Sequence, residues 1–151
     1  MMEKSDKPIV LLVDDDEPTC TLMTALLQKD FAIDVATDGR EAIEKLRINA
    51  YSAIILDLLM PQVDGYGVLD FLKENNPPAL HTVLVVTAAL TRTDMNRVQA
   101  YDICAVIGKP FDVDAMLNAV KQCVGPASAR GNLITSGVIL FLADFLRHRL
   151  I

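Results

Sequence analysis

The chain has 151 residues, 52% of them hydrophobic and 23% charged, with a formal net charge of −6. This length supports one sizeable hydrophobic core, and the acidic balance argues against a general DNA-binding protein because it provides no diffuse positive field. The three cysteines, Cys20, Cys104 and Cys123, form no close pair in the sequence. Their spacing argues against a disulfide framework or a zinc site and favours a reducing cytoplasm. The N-terminal residues lack the apolar stretch of a signal peptide.

Short aliphatic runs alternate along the chain with longer segments of helical period, which is typical of an α/β fold on a parallel sheet. The five predicted strands are Ile9–Val13, Ile33–Ala36, Ala53–Leu56, Thr82–Val86 and Cys104–Ile107. The five predicted helices are Glu17–Lys29, Arg40–Asn49, Tyr66–Glu74, Thr93–Ala100 and Val113–Val124. The third strand is apolar throughout, as expected of a strand that helices cover on both faces. The pattern therefore predicts five strand-helix units in one domain.

The rest of the chain is expected to flank this domain. Residues 1–8 are predicted to be a flexible N-terminus, residues 126–132 a linker, and residues 133–151 an apolar tail with the period of an amphipathic helix. The apolar part of the tail falls short of the ~20 residues that span a bilayer, so we expect no membrane span. Packing against the domain, homodimerisation, partner docking and binding at a membrane interface stay open for it.

Residues that suit phosphate chemistry follow four of the predicted strands. Asp14 and Asp15 follow the first strand, Asp57 follows the third, Thr87 follows the fourth and Lys109 comes shortly after the fifth. Because the carboxyl ends of parallel strands meet at one edge of a sheet, we expect these side chains to gather in one crevice.

Together these residues have the composition of a magnesium-dependent phosphoryl-acceptor site. Mg²⁺ prefers oxygen ligands, and Asp14, Asp15 and Asp57 could hold it together. Thr87 could donate a hydrogen bond to a phosphoryl oxygen, and Lys109 could neutralise the charge that develops there. Each residue alone has an ordinary interpretation as a helix cap, a turn residue or a solvated surface residue. The prediction depends on their joint occurrence at four strand ends.

Four motifs resemble those of the receiver domain of two-component response regulators. They are VDDDEP at Val13–Pro18, LDLLMPQVDG at Leu56–Gly65, VVTAA at Val85–Ala89 and KPF at Lys109–Phe111. The resemblance runs from about Ile9 to Val124, and the combination of motifs is highly specific. It implies a receiver domain over residues 9–125 with a flavodoxin-like, doubly wound sheet of five parallel strands in the order 2-1-3-4-5.

The resemblance also implies how a signal is received. Asp57 is the expected phosphoacceptor, which takes the phosphoryl group of a sensor histidine kinase or a phosphotransfer protein. Asp14, Asp15 and the backbone carbonyl of Leu59 would hold Mg²⁺ together with Asp57. Such a domain catalyses only its own phosphorylation and dephosphorylation, so we do not expect a conventional enzyme.

Other positions bear on how the signal is passed on. By the same resemblance, Thr87 and Lys109 would contact the phosphoryl group, and the peptide bond before Pro110 is expected to be cis. The family's switch moves the threonine toward the phosphate and swings an aromatic residue inward behind it. That aromatic position is Val106 here, and a valine has no ring to swing. Gln62, which stands where glycine is frequent, is a milder departure.

Two alternatives follow from these departures and from the site itself. A constitutive interaction or oligomerisation scaffold, with binding through residues 133–151 and little effect of phosphorylation, is motivated by Val106 and the apolar tail. An enzyme of the haloacid dehalogenase type would have a second aspartate two residues after the nucleophile, where Leu59 stands, which argues against it. No recognisable output motif follows Val124, so we expect a stand-alone receiver.

Overall fold

The computed structural model describes residues 6–88 and 90–124, in which strands and helices alternate. The strands are β1 (Ile9–Val13), β2 (Ala32–Ala36), β3 (Ala53–Leu56), β4 (Val83–Thr87) and β5 (Ala105–Gly108). The helices are α1 (Glu17–Leu27), α2 (Gly39–Ile48), α3 (Gly65–Asn75), α4 (Arg92–Gln99) and α5 (Val113–Val124). A 3-10 helix at Pro77–Thr82 leads into β4. The predicted sequence of five strand-helix units is confirmed.

The strands form one parallel sheet in the order β2-β1-β3-β4-β5, as predicted. The register places Val13 of β1 beside Leu56 of β3, and Val85 of β4 beside Val106 of β5. The order reverses between β1 and β3, so a crevice opens there at the carboxyl edge of the sheet. This is the flavodoxin-like arrangement, and it determines which residues share that edge.

The sheet separates two hydrophobic clusters, one on each face. In β1, Leu11 and Val13 belong to the cluster with α2, α3 and α4, whereas Val10 and Leu12 belong to the cluster with α1 and α5. Every residue of β3 is buried. Since burial of one such aliphatic side chain contributes about 1.5–3 kcal/mol, the two clusters hold the central strands firmly.

Aspartates begin three of the helices. Asp16, Asp38 and Asp64 each accept a hydrogen bond from the backbone N–H three residues later, at the start of α1, α2 and α3. Replacing such a cap by alanine typically costs about 1 kcal/mol. These three acids therefore have a structural role as helix caps.

Several predicted boundaries differ from the structure. Thr82 ends the 3-10 helix and does not begin β4, which starts at Val83. The sequence did not predict the 3-10 helix, because its six residues, about two turns, are too few to show a periodic pattern. Helix ends differ by one or two residues since the capping hydrogen bonds, and not the apolar period, determine where a helix stops.

The prediction that the cysteines form no disulfide is wrong. Cys104 and Cys123 are joined by a disulfide, with their Cα atoms 5.8 Å apart, while Cys20 is a buried free thiol. Residue spacing missed the pair because the two cysteines are 19 positions apart and meet only when α5 folds back onto β5.

The linker predicted at residues 126–132 and the tail predicted at residues 133–151 lie outside the described residues, as does most of the predicted N-terminal segment. Within residues 6–88 and 90–124, no helix is long and apolar enough to cross a membrane.

Candidate functional site

The predicted site residues follow the strands at the carboxyl edge of the sheet. The N–H of Asp57, after β3, donates to the carbonyl oxygen of Val13 at 3.0 Å. The N–H of Lys109, after β5, donates to the carbonyl oxygen of Thr87 at 2.9 Å, and Asp14 is bonded in the same way to the last residue of β2. Each residue thus continues the hydrogen-bond ladder of its strand by one step, so the neighbouring strand positions its side chain.

Three carboxylates meet in the crevice between β1 and β3. Asp14, Asp15 and Asp57 each offer an oxygen, and these oxygens all lie within 4.8 Å of one another. Asp14 is 2% exposed and Asp57 is 7% exposed, whereas Asp15 is open to solvent. Oxygen atoms at this spacing form the donor set that a hard divalent cation prefers. The structure therefore brings together the three acids that the sequence singled out as candidate metal ligands.

Lys109 bridges two of these acids. Its Nζ lies 2.7 Å from Oδ2 of Asp14 and 3.0 Å from Oδ2 of Asp57. Burial disfavours the ammonium, but the hydrogen bonds to the two carboxylates outweigh it and raise the pKa of Lys109. Burial raises the pKa of Asp14 above its ordinary value, and the hydrogen bond from Lys109 offsets only part of that effect. The crevice thus keeps a charged lysine against two carboxylates.

Backbone N–H groups orient the other oxygen of each buried carboxylate. Leu59 N–H donates to Oδ1 of Asp57 at 3.1 Å, and Asp16 N–H donates to Oδ1 of Asp14 at 2.9 Å. The main chain of Leu59 therefore lies beside Asp57, and the residue as a whole is 58% exposed. With Lys109 on their Oδ2 atoms, both acids are held at both ends, which preorganises the site.

Gly65, the first residue of α3, allows this helix to approach the strand end closely. A Cβ at this position would lie 2.4 Å from the carbonyl oxygen of Asp57 and 2.7 Å from Cα of Leu58. The sequence did not predict this close packing against Asp57. A glycine that permits a turn cannot be distinguished, from the sequence, from one that permits a close contact between elements.

The predicted switch positions are buried. Thr87 is the last residue of β4 and is fully buried. Val106 pairs with Val85 in the sheet and packs in the same hydrophobic cluster as Leu90 and Met95. At 2% exposure, Val106 is an ordinary core residue. The peptide bond between Lys109 and Pro110 is cis.

The sequence did not predict a set of contacts between α3 and α4. The Tyr66 hydroxyl donates to Oδ1 of Asp94 at 3.0 Å, and the guanidinium carbon of Arg97 lies 3.6 Å from the centroid of the Tyr66 ring. Burial and the hydrogen bond to Asp94 raise the pKa of Tyr66 to about 12. A second hydrogen bond joins Tyr101 to Asp70. The partners in these two hydrogen bonds are 28 and 31 positions apart in the sequence, so no local sequence pattern predicts them.

Comparison with known proteins identifies relatives of this arrangement. The family model of the response regulator receiver domain matches residues 10–121. The chain is similar to the regulatory protein VanRB of Enterococcus faecalis, with 30% identity over an alignment of 142 positions that covers 91% of this chain and 62% of VanRB. It is also similar to response regulator Rre1 of Synechocystis, with 35% identity over an alignment of 128 positions that covers 82% of this chain and 54% of Rre1. The chain thus spans little more than half the length of these relatives.

Solved structures share the fold. The receiver domain of the Francisella response regulator 1452 superposes with a TM-score of 0.70 at 26% identity, covering 78% of this chain and 97% of that one. The receiver domain of the sensor histidine kinase PA1611 of Pseudomonas aeruginosa, which has a magnesium ion coordinated in its active site cleft, has a TM-score of 0.71 at 20% identity. That match covers 80% of this chain and 99% of the PA1611 domain.

Proposed function

This chain belongs to the response regulator receiver family, and we propose that it receives a phosphoryl group on Asp57 from a sensor histidine kinase or a phosphotransfer protein. The family is regulatory and is not composed of conventional enzymes. The observation that carries the proposal is the position of the Lys109 ammonium, 3.0 Å from Asp57 and 2.7 Å from Asp14 in one crevice. A nucleophilic carboxylate, a second buried acid and a fixed cation are what phosphoryl transfer to an aspartate needs.

The acids of the crevice fit a magnesium ion. Asp14, Asp15 and Asp57 would hold it through carboxylate oxygens, and the backbone carbonyl of Leu59 would be a further ligand. When bound, Mg²⁺ would neutralise negative charge on the phosphoryl oxygens. The magnesium ion in the cleft of the PA1611 receiver domain, which has the same fold, supports this assignment.

The protein's own residues would perform the remaining steps. One carboxylate oxygen of Asp57 forms a bond to phosphorus as the bond to the donor's leaving group breaks, and an aspartyl phosphate results. Lys109, already within hydrogen-bonding distance of Asp57, would pair with a phosphoryl oxygen, and the Thr87 hydroxyl would donate to another. The Leu59 N–H keeps Asp57 oriented throughout. Water would later hydrolyse the mixed anhydride and reset the domain.

Phosphorylation would then switch association with a partner or with a second copy of the chain. We propose the cytoplasm as the compartment, since ATP there supplies the kinase with its phosphoryl group. Homodimerisation through residues 133–151 is part of the proposal. Because the relatives are longer than this chain, their output activities are not transferred to it.

The phosphoacceptor can be tested with a small phosphodonor such as acetyl phosphate in the presence of Mg²⁺. Intact mass spectrometry should detect one acid-stable, base-labile phosphoryl adduct on the full chain, and Asp57→Asn should abolish it. Asp30→Asn is a matched control, because Asp30 is an exposed acid outside the crevice. An adduct that persists in Asp57→Asn would refute the assignment.

A constitutive scaffold is the second candidate function. It is favoured by Val106, whose aliphatic side chain is packed in the core and provides no ring to rotate. The oligomeric mass of the full chain, and of a chain without residues 133–151, should be measured with and without a phosphoryl mimic. The switch predicts a mass that changes with the mimic. An oligomeric mass that does not change with the mimic but falls when residues 133–151 are deleted would establish the scaffold.

A further inference from the structure

The disulfide between Cys104 and Cys123 lies at the opposite edge of the sheet from Asp57. Cys104 immediately precedes β5, and its N–H donates to the carbonyl oxygen of Val83, the first residue of β4, at 2.9 Å. Cys123 belongs to the last turn of α5. The bond therefore ties the end of that helix to the start of the strand that leads to Lys109.

We propose that Cys104 and Cys123 form a reversible thiol–disulfide couple, which a low-molecular-weight disulfide of the glutathione class oxidises, and that the oxidised form anchors the end of α5. This rests on the proposed compartment in one respect: the cytoplasm keeps thiols reduced, so a disulfide there forms when oxidant appears and is reversed afterwards. A Cα separation of 5.8 Å is within the range that a disulfide spans, so the backbone needs no rearrangement to close it.

The chemistry balances as two exchange steps. The Cys104 thiolate attacks one sulfur of the small disulfide, which forms a mixed disulfide and releases the first small thiolate. The Cys123 thiolate then attacks the Cys104 sulfur and releases the second. The two protein thiols lose two electrons and two protons. The electrons and the protons are transferred to the small disulfide, which becomes two small thiols. Cys104 is the expected entry point, because it is 7% exposed whereas Cys123 is fully buried.

Oxidation is expected to matter most for α5. This helix packs Met116, Ala119 and Val120 into the cluster on one face of the sheet. Near its end, the ion pair of Lys121 with Asp30 is exposed and 4.0 Å long, so it holds the last turn weakly. A covalent link at Cys123 removes the freedom of that turn to open. Reduction returns the freedom.

The third cysteine is an internal control. Cys20 lies in α1 as a free thiol that donates to the carbonyl oxygen of Asp14 at 3.3 Å, and its exposure of 7% equals that of Cys104. Because Cys104 and Cys123 bond to each other, Cys20 has no second cysteine with which to close a disulfide, so it should take up one alkyl adduct after either treatment.

The full chain should be equilibrated with excess reduced or excess oxidised glutathione, acid-quenched, denatured and treated with iodoacetamide. We expect three alkyl adducts after reduction, and one adduct, on Cys20, after oxidation. Peptide mapping of the oxidised sample should give a Cys104–Cys123 cross-link. Three adducts after oxidation, stable glutathione adducts on both cysteines, or a cross-link that native reduction does not open would each overturn the proposal.

Hydrogen exchange should locate the consequence. Amides in the last two turns of α5 should exchange about tenfold more slowly in the oxidised protein, while those of α1 should not change. Cys20→Ser should retain the difference, and Cys123→Ser should abolish it. Equal exchange of α5 in both redox states would refute the anchoring role. Since no phosphodonor is used, failure here leaves the phosphoacceptor proposal standing.

Discussion

Nζ of Lys109 lies 2.7 Å from Oδ2 of Asp14, although the two residues are 95 positions apart. They meet because β1 and β5 end at the same edge of a parallel sheet. The same ammonium also contacts Asp57, so one cation compensates two buried carboxylates. Any divalent cation that enters the crevice must therefore share these carboxylates with Lys109, and this competition can be measured.

Lys109→Ala should separate metal binding from phosphoryl transfer. The rate of Asp57 phosphorylation should fall about 100-fold, because a fixed charge that stabilises the transition state is lost. Mg²⁺ affinity should be retained or increase, since a competing cation is removed. Calorimetric Mg²⁺ titration and a time course of the intact mass measure the two effects, with the exposed Lys121→Ala as control. Loss of Mg²⁺ binding at an unchanged phosphorylation rate would contradict this account.

Gly65→Ala should damage both the fold and the site. A Cβ 2.4 Å from the carbonyl oxygen of Asp57 forces α3 away from the end of β3, at a cost of about 1–3 kcal/mol in the free energy of unfolding. Phosphorylation should slow as well, because Asp57 moves. Gly67→Ala is the matched control in the same helix, as its Cβ meets mainly the movable Val63 side chain. Equal stability of the two variants in urea titrations would show that the close approach is not required.

Gln62→Gly should stabilise the protein. Gln62 has a φ of 64°, a left-handed conformation that costs a residue with a side chain about 1–2 kcal/mol. Glycine adopts this conformation without strain, but it also increases the conformational entropy of the unfolded chain, which offsets part of the stabilisation. We therefore expect the free energy of unfolding to increase by up to about 1 kcal/mol. Gln62→Val, with a β-branched side chain, should be destabilising. A loss of stability on Gln62→Gly, measured by urea unfolding, would indicate that the Gln62 side chain makes a stabilising contact.

Asp94 should give α4 a pH-dependent attachment. The hydrogen bond from the Thr91 hydroxyl, together with the Thr91 N–H and the Tyr66 hydroxyl, lowers the pKa of Asp94 below its ordinary value of 3.8. The carboxylate therefore stabilises the folded state above pH 3.8, and this contribution is lost as the pH falls through the lowered pKa.

Asp94→Asn should accordingly reduce the free energy of unfolding at neutral pH by about 1 kcal/mol. The difference from the wild type should shrink as the pH falls through the lowered pKa. Urea titrations across this pH range measure it, with Glu74→Gln as an exposed control. A difference that is independent of pH would show that the charge of Asp94 does not hold α4.

The sheet and the crevice were predictable from the sequence because both depend on local features. A continuous apolar run predicts a covered strand, and β1 and β3 have the predicted bounds. In a parallel sheet the residue after each strand lies at a common edge, so the sequence alone predicts that Asp14 and Asp57 lie close together.

The missed features depend on which elements touch. The Cys104–Cys123 disulfide and the Tyr66–Asp94 hydrogen bond each join residues of separate elements. Periodicity identifies the buried face of a helix but not the side chains that meet it. The roles proposed for residues 133–151 also depend on contacts with another surface, which periodicity does not identify. They therefore stay predictions.

The central claim is tested most directly by finding which residue carries the phosphoryl group. The full chain should be phosphorylated with acetyl phosphate and Mg²⁺, reduced with borohydride, which converts an aspartyl phosphate to homoserine, and digested for peptide sequencing by mass spectrometry. We predict homoserine at the position of Asp57 alone, and none when a chelator removes Mg²⁺. Homoserine at the position of Asp14 or Asp15, or a phosphoryl group on another residue type, would contradict the account.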